Sequence, residues 1–249
     1  MITDSFDPKT RPLTAPEYFY GERGHFADIC LIIFSREVHA HLLASFDCEK
    51  IGEIRCCSGH IPIYKFNLDG REVAFYLTFI GSALASQCCI ESSWITGAEK
   101  FVMFGSAGSL SKDLTANKYV IPVEAYRDEG MSYHYAPPAD YIKVKNHGRV
   151  AEIFDELNVP YVEGRVWTTD APFRETVGQT ALRRNDGCIA VEMEVAGVQA
   201  VCDFHGFELY DFLETGDVLF EDSYSHEGLH EANHNIRKLY VALEIAKRI

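Results

Sequence analysis

The run Val191-Glu192-Met193-Glu194-Val195-Ala196 sets two carboxylates around a methionine inside an apolar stretch. A buried carboxylate is unfavourable unless it is paired, ligated or hydrogen-bonded, so the arrangement calls for a chemical reason. On a strand the two acids share one face; on a helix they stand about 200° apart. A helix entered here carries Ala196, Gly197 and Ala200 as a slim face that packs closely on a sheet. One acid is then free to point into a cleft. A carboxylate so aimed suits a polyhydroxyl ligand, because it accepts two hydroxyl hydrogen bonds at once.

Other residues invite chemistry. Gly105-Ser106-Ala107-Gly108 closes an apolar run. Its glycines let backbone amides approach an anion, and Ser106 adds a hydroxyl; the plain alternative is a turn off a strand. Asp217 follows the apolar run Phe207–Leu213. Strand ends of α/β sheets collect catalytic groups, and burial there would let an Asp hold a proton; an Asx turn with Gly216 is the alternative. Arg55 has the shape for bidentate oxyanion binding, or is a solvated strand-end arginine.

The segment Trp167–Phe173, WTTDAPF, offers the Phe173 face for stacking on a heterocycle and the Thr168 and Thr169 hydroxyls for its edge. A strand-to-helix turn capped by Thr169 or Asp170 explains it equally. The charged, aromatic stretch 127–135 reads as a lid or as a solvated loop. HEANH at 230–234 matches the H-E-x-x-H string of zinc hydrolases. Only Glu244 lies beyond it as a further ligand, so a solvated helix face is the expectation. His39 and His41 read as a surface pair on a short helix.

The stretch VEMEVAGVQAVCDFHGFELYDFLETGD, residues 191–217, resembles the nucleoside phosphorylase and nucleosidase superfamily. FGSAGSL at 104–110 resembles its GS-x-G phosphate loop, and WTTDAPF its base-pocket segment. The resemblance spans roughly residues 50–217. It implies that Glu194 holds the ribose hydroxyls, with Met193 on the sugar face and Glu192 close by. It implies phosphate at Gly105, Ser106, Arg55 and Arg36, and a base against Ala107, Gly108, Thr169, Phe173 and Val191. Asp217 then protonates the leaving base, as in purine-acting members. Arg55 sits in a segment similar to one that completes a neighbouring subunit's site, which implies a homo-oligomer, a dimer or a trimer of dimers. Three positions depart from the pattern. FSREV, with Ser35 and Arg36, replaces a G-D-P-x-R-like loop; Met103 stands where phosphorylases often carry Arg; Pro172 stands in place of an aromatic residue.

The elements that must position these groups read as an α/β alternation. ADICLIIF (27–34) is a strand buried on both faces, 52–79 gives successive strands turning at NLDG, and KFVMFG, YVIPV and YVEGRVWTTD give further strands. Helices are predicted over 37–46, 83–96, 147–157, 175–184, 192–205 and 227–249, with a strand over 207–215. The expectation is a mixed, largely buried sheet flanked by helices on both faces, in a single domain over 1–249 whose first 24 residues are irregular.

The 249 residues are 47% hydrophobic, enough for a sizeable core. A net charge of −14 and no basic stripe exclude nucleic acid as a partner, and a phosphate site must be locally positive. No apolar run is long enough to span a membrane. The eight cysteines show no C-x-x-C spacing and read as a reduced set in a cytoplasmic protein.

The expected activity is phosphorolysis of a nucleoside, preferably a purine one, to base and ribose 1-phosphate. Phosphate is a co-substrate, and no metal or organic cofactor is implied. The alternatives are a nucleosidase using water, a nucleoside-binding protein without turnover, and a zinc hydrolase built on HEANH.

Overall fold

In the computed structural model, which describes residues 1–249, one mixed sheet carries eleven strands. They are β1 (Ile29–Ile33), β2 (Glu49–Cys56), β3 (Gly59–Leu68), β4 (Arg71–Leu77), β5 (Lys100–Ser109), β6 (Tyr119–Asp128), β7 (Tyr141–Lys143), β8 (Tyr161–Thr169), β9 (Cys188–Glu192), β10 (Glu208–Leu219) and β11 (Tyr224–Ser225). The helices are α1 (Glu17–Tyr20), α2 (Arg36–Ser45), α3 (Ser82–Thr96), α4 (Lys112–Thr115), α5 (Ser132–Tyr135), α6 (His147–Leu157), α7 (Val177–Asn185), α8 (Val195–His205), α9 (Leu229–His234) and α10 (Ile236–Arg248). None is long and apolar enough to cross a membrane.

The strand order is β11-β10-β6-β8-β9-β5-β1-β4-β3-β2, and β10 also pairs with β5. That extra pairing closes β5, β10, β6, β8 and β9 into a ring. Two large apolar cores form, beside a small third cluster of Leu110, Trp167, Cys188, Val191 and Leu219. One packs α3 and α8 against the sheet through residues such as Ala85, Cys89, Val198 and Cys202. The other packs α2, α6 and α10 through Leu42, Phe154, Leu239 and Leu243. In α10 the buried positions Leu239, Ala242, Leu243 and Ala246 recur at helical spacing.

β5 is the axis of the fold. Along one edge it pairs with β10 throughout, from Lys100 to Ser109. Along the other it pairs in parallel with β1 as far as Phe104, then antiparallel with β9 from Gly108. Between these contacts, at Gly105–Ala107, no strand covers that edge. The sheet forks there, at the C-terminal end of β1.

Several expectations change. The Gly105–Gly108 segment is strand, not a loop beyond it, because β10 continues to pair with it. Asp217 lies inside β10, after a bulge between Thr215 and Asp217, not past its end in an Asx turn. The bulge is held where Gly216 meets Gly228: a Cβ on Gly228 would stand 2.4 Å from the Gly216 carbonyl oxygen. Val191 and Glu192 end an unforeseen strand, β9, and the helix starts only at Val195. The C-terminal helix is broken at Asn235, whose side chain accepts from Arg237 N–H and donates to both Glu214 oxygens. Residues 127–135 are neither lid nor loose loop. Buried Arg127 donates to Ser132 Oγ at 2.7 Å and to the Pro137 carbonyl at 2.6 Å, and stacks on Tyr133.

The slim face of α8 packs differently from expectation. Ala196 and Ala200 sit in the core, but Gly197 faces α3, where a Cβ would meet Ser82 Cβ at 2.8 Å and the Ser86 hydroxyl at 3.0 Å. Gly197→Val should therefore wedge the two helices apart. Overpacking of this kind costs about 1–3 kcal/mol, a fall in Tm of roughly 3–10 °C for a domain of this size. Calorimetry checks it, and an unchanged Tm would show that α3 yields without loss.

Candidate active site

A cavity of about 170 Å³ opens at the fork in the sheet. Ser35, Ser106, Glu194, Asn233, His234 and Lys238 supply its polar walls. Phe34, Ile80 and Phe104 are among its apolar ones.

Glu194 reaches the cavity through Glu192. The Glu192 side chain is fully committed to protein. One oxygen accepts the Thr168 hydroxyl; the other accepts Glu194 N–H at 2.6 Å and Val195 N–H at 2.8 Å. Glu192 thus caps α8, where the helix dipole favours an anion. It is 4% exposed and does not line the cavity, so its place near the ribose becomes a positioning one. Glu194, held by its backbone, turns Oε1 onto the Gly81 N–H at 2.5 Å and lines the cavity. Met193 is half-buried beside it, its carbonyl taking the Ser82 hydroxyl at 2.9 Å.

Burial raises both glutamates above the usual carboxylate range; the nearby Glu194 charge adds to the shift of Glu192, while the amide hydrogen bonds oppose it. Asp211 lies in the same electrostatic environment, fully buried and with no partner for either oxygen. Burial first, then Glu192 and Glu194, push its carboxyl far above the ordinary 3.8. Such a trio shares fewer than three charges.

The strand β5 links this cavity to Asp217. Ser106 and Gly108 are two apart on one face of the strand. A Cβ on Gly108 would meet Leu219 at 2.7 Å, Val191 at 3.0 Å and the Asp217 carboxylate at 3.1 Å. Gly108, Val191 and Asp217 therefore gather at one point, with Asp217 in register opposite Gly108. Asp217 does not line the cavity of Glu194; it lines a separate one together with Thr215, Val218 and Glu231, and the two have no lining residue in common. Burial raises its pKa, the Tyr224 hydroxyl opposing the shift. Glu175 nearby is pushed up to about 7 by burial and by the Asp217 charge.

The remaining expected residues fall elsewhere. Ala107 points into the core, being on the opposite face from Ser106. Thr169 ties the chain locally, donating to Asp128 and accepting from Ala171 N–H. Phe173 is 99% exposed on a short turn and stacks on nothing. Arg36 is exposed at the start of α2, outside the cavity. Arg55 is also exposed, on the β2 edge, with Glu53 at 3.4 Å as its ion partner. No arginine of this chain lines the cavity.

The HEANH face, expected to be solvated, is so at His230 and Glu231, but Asn233 and His234 turn to the cavity, which Lys238 of α10 also lines. Lys238 is 2% exposed, donating to the carbonyls of Gly105 (3.1 Å) and Ala232. His234 Nδ1 lies 2.7 Å from the Ser35 hydroxyl, and Ser106 donates to Asn233 Oδ1. His230 and His234 pack edge to face with ring centroids 4.8 Å apart, yet no group of three metal-type donors forms there. One signal for this α9–α10 corner was available: Lys238 interrupts the apolar stripe that Leu239, Ala242 and Leu243 continue.

A family model of the phosphorylase superfamily matches residues 28–233, and the chain belongs to that family. Among curated proteins it is 25% identical over 211 residues to the DeoD-type purine nucleoside phosphorylase of Exiguobacterium sp., covering 82% of this chain and 85% of that one. It is 26% identical over 177 residues to the DeoD-type purine nucleoside phosphorylase of Colwellia psychrerythraea, covering 69% and 73%. Its fold is similar to that of Campylobacter jejuni 5′-methylthioadenosine/S-adenosylhomocysteine nucleosidase, with TM-score 0.72 at 18% identity over 90% of this chain and 100% of that one. Helicobacter pylori futalosine hydrolase matches with TM-score 0.69 at 18% identity over 89% and 97%.

The buried acids set a pH dependence. The folded state holds the Asp211 proton more tightly than the unfolded chain, so stability falls as pH rises above the ordinary value of 3.8. Asp211→Asn removes that dependence. Its urea midpoint should gain steadily on the wild type over the pH range above about 4. A difference that stays constant across that range would mean Asp211 is ionised in the fold.

Proposed function

We propose that the chain cleaves the N-glycosidic bond of a purine nucleoside by phosphorolysis. The arrangement along β5 carries this reading. Ser106 and Glu194 share one cavity, and Asp217 stands over Gly108, two residues further along the same face. Two strand residues advance about 7 Å, which suits a sugar held at the first position and its base at the second.

In this reaction Glu194 accepts the ribose hydroxyls, and its charge offsets the positive charge that builds on the sugar. A phosphate oxygen attacks the anomeric carbon. The carbon–nitrogen bond breaks, its electron pair leaves with the base, and Asp217 gives that base a proton. The products are free base and ribose 1-phosphate, and solvent reprotonates Asp217. The raised pKa of Asp217 favours the protonated form this requires. The curated relatives, described as purine nucleoside phosphorylases, support both the phosphate and the purine. Arg55 joins the site only if a second copy of the chain delivers it, which fits a homo-oligomer. No cofactor enters the reaction.

A second reading, hydrolysis, rests on a specific observation: Met103 is buried in the core and Arg36 is exposed, so neither position supplies an arginine to the cavity. Water then takes the place of phosphate.

Incubation with adenosine, inosine, guanosine, uridine and 5′-modified adenosines, with and without phosphate, tests both. Ribose 1-phosphate identifies phosphorolysis; free ribose identifies hydrolysis. Glu194→Ala and Asp217→Ala should each lower kcat/KM by at least about tenfold, the order of a lost transition-state contact. Saturable nucleoside binding without turnover would reduce the protein to a binder, and unchanged rates in both variants would remove these residues from the site.

A further inference from the structure

The cavity at the sheet fork has lost the arginines that would neutralise an anion, yet its far wall is rich in donors. Four of them come from elements distant in sequence: Ser35 from the turn into α2, Ser106 from β5, and His234 and Lys238 from α9 and α10. Lys238 is buried with two N–H groups on carbonyl oxygens. An ammonium has three donors, so one remains, on a residue that lines the cavity. A buried lysine without a carboxylate in ion-pair contact is unfavourable by itself. It makes chemical sense where an anionic ligand arrives.

We propose that the α9–α10 corner, through Lys238 and His234 together with Ser35 and Ser106, forms the binding site for inorganic phosphate. The proposal rests on the N-glycosidic reading above for what the bound phosphate then does. The space supports it: about 170 Å³ is well above the roughly 30 Å³ share of one water. Ser35, Ser106, His234 and Lys238 supply the donors of this wall, and the exposed Glu37 carboxylate stands 4.0 Å from His234 Nδ1. The Ser106 hydroxyl presently donates to Asn233 and can turn to a ligand, and His234 is positioned by the Ser35 hydroxyl. The carboxylate in the cavity, Glu194, is held toward the sugar side by Gly81 N–H. Burial lowers the Lys238 ammonium to about 8, with Glu214 opposing the shift.

The loss of the usual arginines and the buried lysine then have one explanation. The cation that meets the phosphate has moved from the strands to the C-terminal helix, where the Asn235 joint holds His234 and Lys238 on either side of the break.

Two variants, His234→Ala and Lys238→Gln, test this with inorganic phosphate as the probe. Titration calorimetry should show phosphate binding to the wild type and at least about tenfold weaker binding in each variant. Under turnover, the KM for phosphate should rise by a similar factor while the KM for nucleoside moves less than about twofold. His234 is half-buried, so its variant remains informative if Lys238→Gln fails to fold. Unchanged phosphate affinity in His234→Ala and in any folded Lys238 variant overturns the site. Turnover to free ribose at rates indifferent to phosphate also overturns it, while leaving N-glycosidic cleavage intact. Wild-type phosphate binding that the variants lose, with no nucleoside turned over, would sustain the site and defeat the cleavage reading instead.

Discussion

The structure depends on a change of partner along one edge of β5. As far as Phe104 that edge is occupied by β1, and from Gly108 by β9. Backbone amides and carbonyls of a buried strand need partners. At Gly105–Ala107 the sheet supplies none on this side, and the gap is met by other means. Lys238 takes the Gly105 carbonyl, and the cavity takes the space that a neighbouring strand would have filled. Ligand sites of open α/β sheets lie at such divergence points for this reason.

Glu192 and Glu194 show how two like charges two residues apart acquire different tasks. Glu192 spends both oxygens on the Thr168 hydroxyl and the first amides of α8. It fixes where the helix starts and so where Glu194 points. Glu194 keeps contact with the cavity. A buried, hydrogen-bonded acid positions an acid exposed to ligand, and Asp211, fully buried without a partner, has its carboxyl pushed well up by burial and by these two acids.

Much of this was legible in the sequence. The continuous apolar run at 29–33 and the NLDG turn follow from local preferences, and both appear as expected. The VEMEVA acids announced themselves because charge inside an apolar run is rare. What escaped was set by non-local pairing. Gly105–Gly108 reads as a loop because glycines weaken a strand, yet pairing with β10 carries the strand through. Phe173 reads as a stacking face, but its exposure depends on a turn whose packing no local pattern encodes. The HEANH segment looks polar because its partners, Ser35 and Ser106, lie far away in the chain.

That distance has a kinetic side. The Ser35–His234 contact joins residues 199 positions apart. Closing so long a loop carries a large entropic penalty and is repaid only after the intervening sheet has formed. The corner that α9 and α10 complete is therefore a late arrival in folding and an early departure in partial opening. Chains can visit states in which the sheet and the sugar-facing acid are intact while this corner is undocked, and occupancy of the cavity by an anion would draw the population back toward closure.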